Sequence, residues 1–194
     1  MLPAEGHLEA IRVFLTERAG DAVRLRLATE ADAAFILGLR LDPLRNQNIS
    51  STSSDLSAQV SWMRAYGVRE AAGQEAYFVI EVDGQPQGSL RLYDYQPSSD
   101  SFCWGSWIIR PGAPAATAYQ SAILAYDLAF GALGFTRSHF DVRQANLSVW
   151  RFHEKLDARL AREDAQDRYY EYAVEDYRKA RARLQKFAQL RDFR

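Results

Sequence analysis

The sequence predicts an α+β fold in which helices flank a mixed, mostly antiparallel central sheet, with an extra helix at the C-terminus. Strand-type and helix-type segments follow one another in the order β, α, α, β, β, β, α, β, α, β, β, α. No internal repeat or low-complexity linker divides them. The 194 residues are 47% hydrophobic and carry a formal charge of −1, which is typical of one soluble globular domain.

The first elements follow from local patterns. Apolar and basic residues alternate over Val23–Leu27, which predicts a half-buried strand. Thr29 and Asp32 have the spacing of a capping box and predict the start of a helix. The Asn- and Ser-rich residues 46–54 read as a loop, and apolar residues at helical spacing predict a second helix over residues 55–70.

The middle of the chain predicts three antiparallel strands over residues 77–82, 88–95 and 102–109. Asp83 and Gly84 form a strong hairpin signal between the first two strands. Next, apolar residues at i, i+3, i+4 and i+7 predict a long helix over residues 119–133.

The last third contains a C-cap glycine, a strand, an Asn-capped helix, two more strands and a final helix. Gly134 is the C-cap glycine, residues 139–142 form the strand, and Asn146 to Leu156 form the capped helix. The two further strands are residues 159–161 and 168–174, and the final helix runs from Val174 or Glu175 to about residue 190. From Arg178 onward there are seven basic residues and one acidic residue. They suit a solvated helix face or pairing with an acidic patch on the body or on a second subunit.

Composition excludes several classes of function. The near-zero net charge argues against nucleic-acid binding, and no apolar run is long enough for membrane insertion. Met1 to Asp21 has no export-signal pattern, and Cys103 is the single cysteine, so we expect a cytoplasmic protein without disulfides. His7, His139 and His153 lack metal-ligand spacing, so no metal is predicted. His139 and Asp141 alternate on one strand and could pair with a serine, but no nucleophile elbow accompanies them.

Two segments are candidates for chemistry. A helix that begins after the strand at residues 102–109 would offer free backbone N–H groups to a phosphate, and small residues there would let a ligand approach. Those loop and helix-start residues are Ala113, Ala115, Ala116, Thr117 and Ala118. From these residues alone, a tightly packed helix start is the simpler explanation. In the second segment, helical spacing turns His153 inward with Asn146 at the mouth, which suits an acid or base, or a packed histidine bonded to backbone.

These segments together resemble the GNAT superfamily of acyl-CoA-dependent N-acetyltransferases. The resemblance rests on the strand ending at residues 105–109, the long helix after it, and Asn146 placed seven residues before His153 and followed by Lys155-Leu156. It covers residues 23–173, leaving residues 1–22 as an N-terminal extension and 174–194 as a basic C-terminal helix packed on or beside the domain. The chain departs from the family pattern in the loop, where alanines replace glycines, and after Leu156, where Asp157-Ala158 replaces Gly-Phe.

The resemblance implies transfer of an acetyl group from acetyl-CoA, as co-substrate, to a small amine. It assigns the pantetheine arm to the backbone of Trp107, Ile108 and Ile109 and to Asn146, and the pyrophosphate to the alanine-rich loop. His153 occupies the position of the family's tyrosine, so it would protonate the departing thiolate or act as general base. Glu81, Tyr93 and Asp94 are weaker candidates for the base.

Within the superfamily, residues 105–109, 138–143 and 152–155 resemble acetyltransferases of surface-polysaccharide and nucleotide-amino-sugar synthesis. The acceptor would then be an amino sugar, possibly linked to a nucleotide, bound by the loop at 46–54 and by Trp62, Trp104 and Trp107. A peptide or ribosomal-protein N-terminal acetyltransferase is the alternative within the class. A degenerate, non-catalytic GNAT-like binding module is the alternative of another class, and a homodimer stays open.

Overall fold

The structure, a computed structural model, describes residues 1–188 of the chain, with side chains to residue 184. Its helices are α1 (Ala4–Glu17), α2 (Ala33–Leu41), α3 (Leu56–Ala71), α4 (Ala116–Tyr126), α5 (Leu147–Lys155) and α6 (Val174–Ala188). Its strands are β1 (Val23–Leu27), β2 (Ala76–Val82), β3 (Gln85–Gln96), β4 (Ser101–Ile109), β5 (Arg137–Arg143), β6 (Arg159–Glu163) and β7 (Asp167–Ala173).

The seven strands form one sheet in the order β1-β2-β3-β4-β5-β7-β6. Each neighbouring pair is antiparallel except β4 and β5, which are parallel. Those two strands are paired at Ser101 with Arg137 and at Phe102 with Ser138, and then they separate. The predicted mostly antiparallel α+β fold is confirmed, and the separation opens a cleft in the middle of the sheet.

Helices cover both faces of the sheet, as β2 shows most directly. Phe78 and Ile80 belong to the main core with residues of α1, α4 and α6. Tyr77 and Val79, which point the other way, pack in a second cluster with residues of α2 and α3. Because successive side chains of a strand alternate between faces, β2 is buried on both sides.

Backbone conformation explains two features that shape the cleft. Asp83 and Gly84 both have positive φ, 49° and 76°, as the predicted two-residue hairpin requires. In β4, Ser106 and Trp107 together lie opposite a single residue of β3, between the register pairs made by Gly105 and Ile108. Ser106 takes the left-handed conformation, with φ of 49°, so β4 has a β-bulge where it borders the cleft.

The sequence predicted most elements within a few residues but missed α1. This helix precedes the predicted domain, and it buries Ile11 and Phe14 in the main core. The predicted helix over 119–133 is α-helical only to Tyr126 and continues as a π-helical segment, Asp127–Ala132, before Gly134, whose φ is 72°. A buried carboxylate with long-range partners lies at this transition.

That carboxylate, Asp127, ties the C-terminal helix to the body. Arg181 is 2% exposed and donates to both oxygens of Asp127 at 2.9 Å, and the Tyr177 hydroxyl donates to the same carboxylate at 2.5 Å. Of the two interpretations of this helix's cations, pairing with an acidic group on the body therefore holds for Arg181, and a solvated face does not. The predicted helix end near residue 190 lies outside the described residues, and no helix within residues 1–188 is long and apolar enough to cross a membrane.

Candidate functional site

Two adjoining cavities lie where β4 and β5 separate. The cleft cavity, about 300 Å³, runs between the two strands and reaches Trp107, Asn146 and His153. The loop cavity, about 360 Å³, lies under residues 50–53 and against α3. Arg40, Ser50 and Ser106 line both cavities, so the two spaces meet at the bulge of β4.

The edge of β4 that faces the cleft offers backbone groups to a ligand. The N–H of Arg110 donates to the carbonyl of Gln87 at 2.8 Å, which turns Arg110 toward β3. Because backbone groups alternate in direction along a strand, those of Ile109 point into the cleft. Ile108 is in register with Ser89 and faces β3, so Ile109 and the bulged Trp107 present the free edge, not Ile108.

The small residues predicted to receive a phosphate lie at the start of α4. Ala115 is its N-cap and Ala116 its first residue, and both are exposed. The first N–H groups of a helix lack partners within it. Thr117 differs because its side chain is buried and its N–H already donates to the carbonyl of Pro114 at 2.9 Å.

The loop residues next to the start of α4 also suit the binding of an anionic group. Ala113 and Ala118 are half-buried and add little bulk, which leaves the approach to the backbone open. Arg110, immediately after β4, is an exposed cation three residues before Ala113. Small side chains, free N–H groups and one cation together suit a pyrophosphate.

Asn146 lies at the N-cap of α5, but its side chain does not cap the helix. The backbone carbonyl of Asn146 accepts the N–H groups of Val149 and Trp150, while the side-chain oxygen accepts the Ser148 hydroxyl at 3.3 Å. Within the described residues, the Asn146 side-chain NH₂ donates no hydrogen bond. The amide therefore borders the cleft cavity with donors free for a ligand.

His153 points inward from α5, as helical spacing predicted, and is 3% exposed. Its ring packs against Phe140, with centroids 4.3 Å apart, and edge-on against Trp104 at 5.5 Å. Burial lowers the pKa of His153 to about 3, so the imidazole is neutral near pH 7. Sequence reasoning identified the residue but not its charge state.

One polar atom approaches the buried imidazole from the protein interior. The hydroxyl of Tyr126 lies 3.3 Å from Nδ1 of His153. Burial raises the pKa of Tyr126 well above its ordinary value, so the phenol keeps its proton. When that O–H donates to Nδ1, the neutral ring carries its own proton on Nε2.

Charged side chains also line the two cavities, and none of them was predicted for this site. They are Arg40 of α2, Arg91 of β3, and Asp141 and Arg143 of β5. Arg40 was detectable as a lone cation in an otherwise apolar helix. For Asp141, the sequence suggests only a partner for a serine, because alternation in β5 does not reveal which face of the strand borders a cavity.

Other residues considered from the sequence have different roles. Glu81 accepts from Arg24 and Arg26 at 2.8 and 3.0 Å, away from both cavities. His139 bonds to Ser101 at 2.7 Å and to Asp94 at 2.9 Å, not to Asp141. Burial raises the pKa of the Cys103 thiol to about 12. Of the predicted aromatic wall, Trp62 lines the loop cavity, whereas Trp104 and Trp107 line the cleft cavity.

Comparisons with known proteins identify the family and the fold. The family pattern described as "Acetyltransferase (GNAT) domain" matches residues 22–159. A solved structure described as apo FdhC, a nucleotide-linked sugar GNAT, is 38% identical, with a TM-score of 0.79 over 87% of this chain and 96% of that chain. No match was found among curated protein sequences.

More distant structures share the fold. RimJ of Mycobacterium smegmatis in complex with CoA-disulfide is 19% identical, with a TM-score of 0.70 over 84% of this chain and 88% of that one. A mutant spermidine N-acetyltransferase SpeG of Vibrio cholerae is 18% identical, with a TM-score of 0.67 over 81% and 97%. Because the family match spans more than half of the chain and the FdhC structure shares 38% of its residues, the chain belongs to the GNAT family and is an N-acetyltransferase.

Proposed function

We propose that the protein transfers an acetyl group from acetyl-CoA to the amine of a nucleotide-linked amino sugar, in the cytoplasm and as a step of surface-polysaccharide synthesis. The observation that carries this proposal is the charge of the loop cavity. Arg40 and Arg91 line it, and no carboxylate does among the described residues. Such a cavity suits an acceptor that brings its own negative charge, as a nucleoside diphosphate does.

Arg40 supplies the uncompensated charge. Its guanidinium is held by neutral acceptors, the Thr52 hydroxyl at 2.5 Å and the hydroxyl and carbonyl of Ser50 at 3.1 Å. Arg91 differs, because its Nε donates to the buried carboxylate of Glu75 at 2.7 Å. Arg69 contacts the same carboxylate, so Arg40 is the cavity-lining cation without a carboxylate partner among the described residues. The loop fixes its position, and it can bind a phosphate.

The remaining lining fits the uncharged parts of a nucleotide sugar. The loop contributes hydroxyl groups at residues 50–53, which can bond to sugar hydroxyls. Trp62 lies parallel to Tyr66 at 5.9 Å between ring centroids, and Arg69 and Arg91 each lie 5.3 Å from its ring. These neighbours hold the indole at the cavity wall, where it can stack on a base or a sugar.

The cleft cavity suits acetyl-CoA, which supplies the acetyl thioester. Trp107 and Ile109 would bond the pantetheine arm in the manner of an added strand, and Asn146 would donate to its amides. The N–H groups at Ala115 and Ala116 would bind the pyrophosphate. Because His153 is neutral, its Nε2–H would stabilise the departing sulfur by donating a hydrogen bond, in place of proton transfer from an imidazolium.

A panel of acceptors tests the proposal. Release of CoA thiol from acetyl-CoA is followed with a nucleoside-diphosphate-linked amino sugar, the free amino sugar, spermidine and a peptide with a free N-terminus. We expect kcat/KM to be highest for the nucleotide-linked amine. A higher value for spermidine or the peptide would contradict the acceptor class, and absence of acetyl-CoA binding would favour the non-catalytic binding module.

Arg40→Gln tests the observation that carries the proposal. A charged hydrogen bond contributes about 1.5–3 kcal/mol, so KM for the nucleotide-linked sugar should rise roughly 10- to 100-fold while the Kd of acetyl-CoA stays unchanged. Arg45→Gln is the matched control, because Arg45 is exposed nearby and lines neither cavity. Equal KM values for both variants would exclude Arg40 from acceptor binding.

A further inference from the structure

Asp141 is the one carboxylate among the described residues that line the two cavities. It lies in the middle of β5, on the segment that has separated from β4. Acyl transfer to an amine requires that the nitrogen lose a proton, and a carboxylate in reach of the nitrogen can accept it. The position of Asp141 in the cleft cavity therefore makes it a candidate to accept that proton.

Alternation along β5 places Asp141 on the acceptor side of the cleft. Phe140 and Val142 are buried, and Phe140 packs against His153 on the side of α5. Asp141, between them, faces the other way and is exposed. A thioester held between β4 and β5 would then have His153 on one side and the Asp141 carboxylate on the other.

Asp141 is also free to react. Within the described residues its carboxylate accepts no hydrogen bond and forms no ion pair, whereas neighbouring charges are engaged. Arg143 donates to Asp167 at 2.9 Å, and Asp94 accepts from His139 at 2.9 Å. A carboxylate left without a partner inside a substrate cavity is available to the substrate.

The residues facing Asp141 support the same orientation. Its charge contributes to the raised pKa of both Tyr93 and Cys103, although burial is the main cause in each case. Tyr93 lies across the cleft on β3, where the absence of a side chain at Gly105 lets its hydroxyl approach β4. Tyr93 and Cys103 both keep their protons near pH 7, so neither competes with Asp141 as a base.

We propose that Asp141 is the catalytic base of the acetyl transfer, an inference that rests on the proposed function. The acceptor nitrogen attacks the thioester carbonyl, and its proton passes to the Asp141 carboxylate as the N–C bond forms. The C–S bond then breaks, and the sulfur leaves with the electron pair while His153 donates to it. Because Asp141 is exposed, the proton it has accepted returns to solvent, which leaves the amide and CoA as products.

Other candidates for the base fit less well. Glu81 is held by two arginines outside the cavities, and Asp94 lines neither cavity and is bonded to His139. His153 lies on the sulfur side, and its low pKa of about 3 makes it a poor proton acceptor. Arg40 and Arg143 are cations with no acceptor capacity.

Asp141→Asn tests the proposal with little change in shape. A general base contributes about 10²- to 10⁴-fold, so kcat should fall at least roughly 100-fold while the Kd of acetyl-CoA is unchanged. Asp141→Glu should recover part of kcat. Glu171→Gln is the matched control, because Glu171 is exposed on the adjacent strand and lines neither cavity.

The pH profile separates a chemical role from a structural one. Hydroxide can take the proton in place of Asp141 at high pH, so the ratio of wild-type to Asp141→Asn rates should shrink between pH 7 and pH 10. A kcat within threefold of wild type, or a ratio independent of pH, overturns the assignment. If the wild type prefers another amine, the proposed acceptor fails, and the same comparison with that amine still decides the role of Asp141.

Discussion

The two sides of the cleft differ in their access to water. On the α5 side, His153 is enclosed by Phe140 and Trp104, and its pKa is lowered to about 3. On the α2 side, Arg40 lies among hydroxyl groups and Asp141 is exposed to solvent. The same separation of β4 from β5 therefore creates a dry wall, to which we assign the thioester, and a polar wall, to which we assign the acceptor.

This difference teaches how two steps with opposite needs share one site. A departing sulfur is stabilised most by a fixed donor in a region of low dielectric, because hydrogen bonds are stronger there. A proton that leaves an amine must reach solvent, which requires an exposed acceptor. Variants that admit water to the α5 side should alter only the departure of the sulfur. Variants that change the polarity of the α2 side should alter only the removal of the proton.

Among variants of the dry wall and the bulge, the largest expected effect comes from removing the hydrogen-bond donor on the dry wall. His153→Phe keeps a buried aromatic ring but loses Nε2–H, so kcat should fall about 100-fold with little change in the Kd of acetyl-CoA. His153→Gln retains an N–H donor and should lose less. Steady-state kinetics and calorimetry check both variants, and wild-type turnover in His153→Phe would exclude a chemical role.

The free energy of unfolding at acidic pH should report directly how well this wall excludes water from His153. Because the folded-state pKa of about 3 lies below the ordinary value of 6.5, the unfolded chain binds a proton more readily. The contribution of the neutral imidazole to the free energy of unfolding is fully present above pH 6.5. It is lost as the pH falls, by about 2 kcal/mol at pH 5. Urea unfolding at pH 7 and pH 5 should show this loss in the wild type and a smaller one in His153→Phe; equal losses would contradict a buried neutral imidazole.

A smaller effect is expected where the dry wall meets the mouth of the cleft. Asn146→Ala removes a side-chain amide that does not cap α5, so folding should change little. The Kd of acetyl-CoA should rise about tenfold, which corresponds to one hydrogen bond of about 1.4 kcal/mol. Ser148→Ala is the control, since Ser148 contacts Asn146 but lines neither cavity. Unchanged affinity in Asn146→Ala would remove it from the binding site.

The smallest effect concerns the bulge at which the two walls meet. Ser106 has a φ of 49°, so Ser106→Gly relieves backbone strain but adds entropy to the unfolded chain. The two terms should nearly cancel, within about 0.5 kcal/mol, whereas Ser106→Val should lose about 1 kcal/mol or more. Thermal unfolding measures both variants. Equal melting temperatures for valine and glycine would mean that the bulge is not maintained in solution.

Local sequence patterns were sufficient for much of the fold. The hairpin at Asp83-Gly84 and the strands around it follow from turn chemistry and alternation, and the inward position of His153 follows from helical spacing. By contrast, α1 was missed because its amphipathic pattern lies before the predicted domain and has meaning only against the core that Ile11 and Phe14 enter.

The site itself depended on contacts between distant parts of the chain. No local period indicates that β4 and β5 pair over two residues and then separate, that Arg40 is held by Ser50 and Thr52, or that Asp141 faces a cavity without a partner. The charge state of His153 likewise comes from burial among side chains of other elements. Residue types and periodicities encode the elements, whereas free strand edges, pKa values and unpaired charges arise when those elements pack.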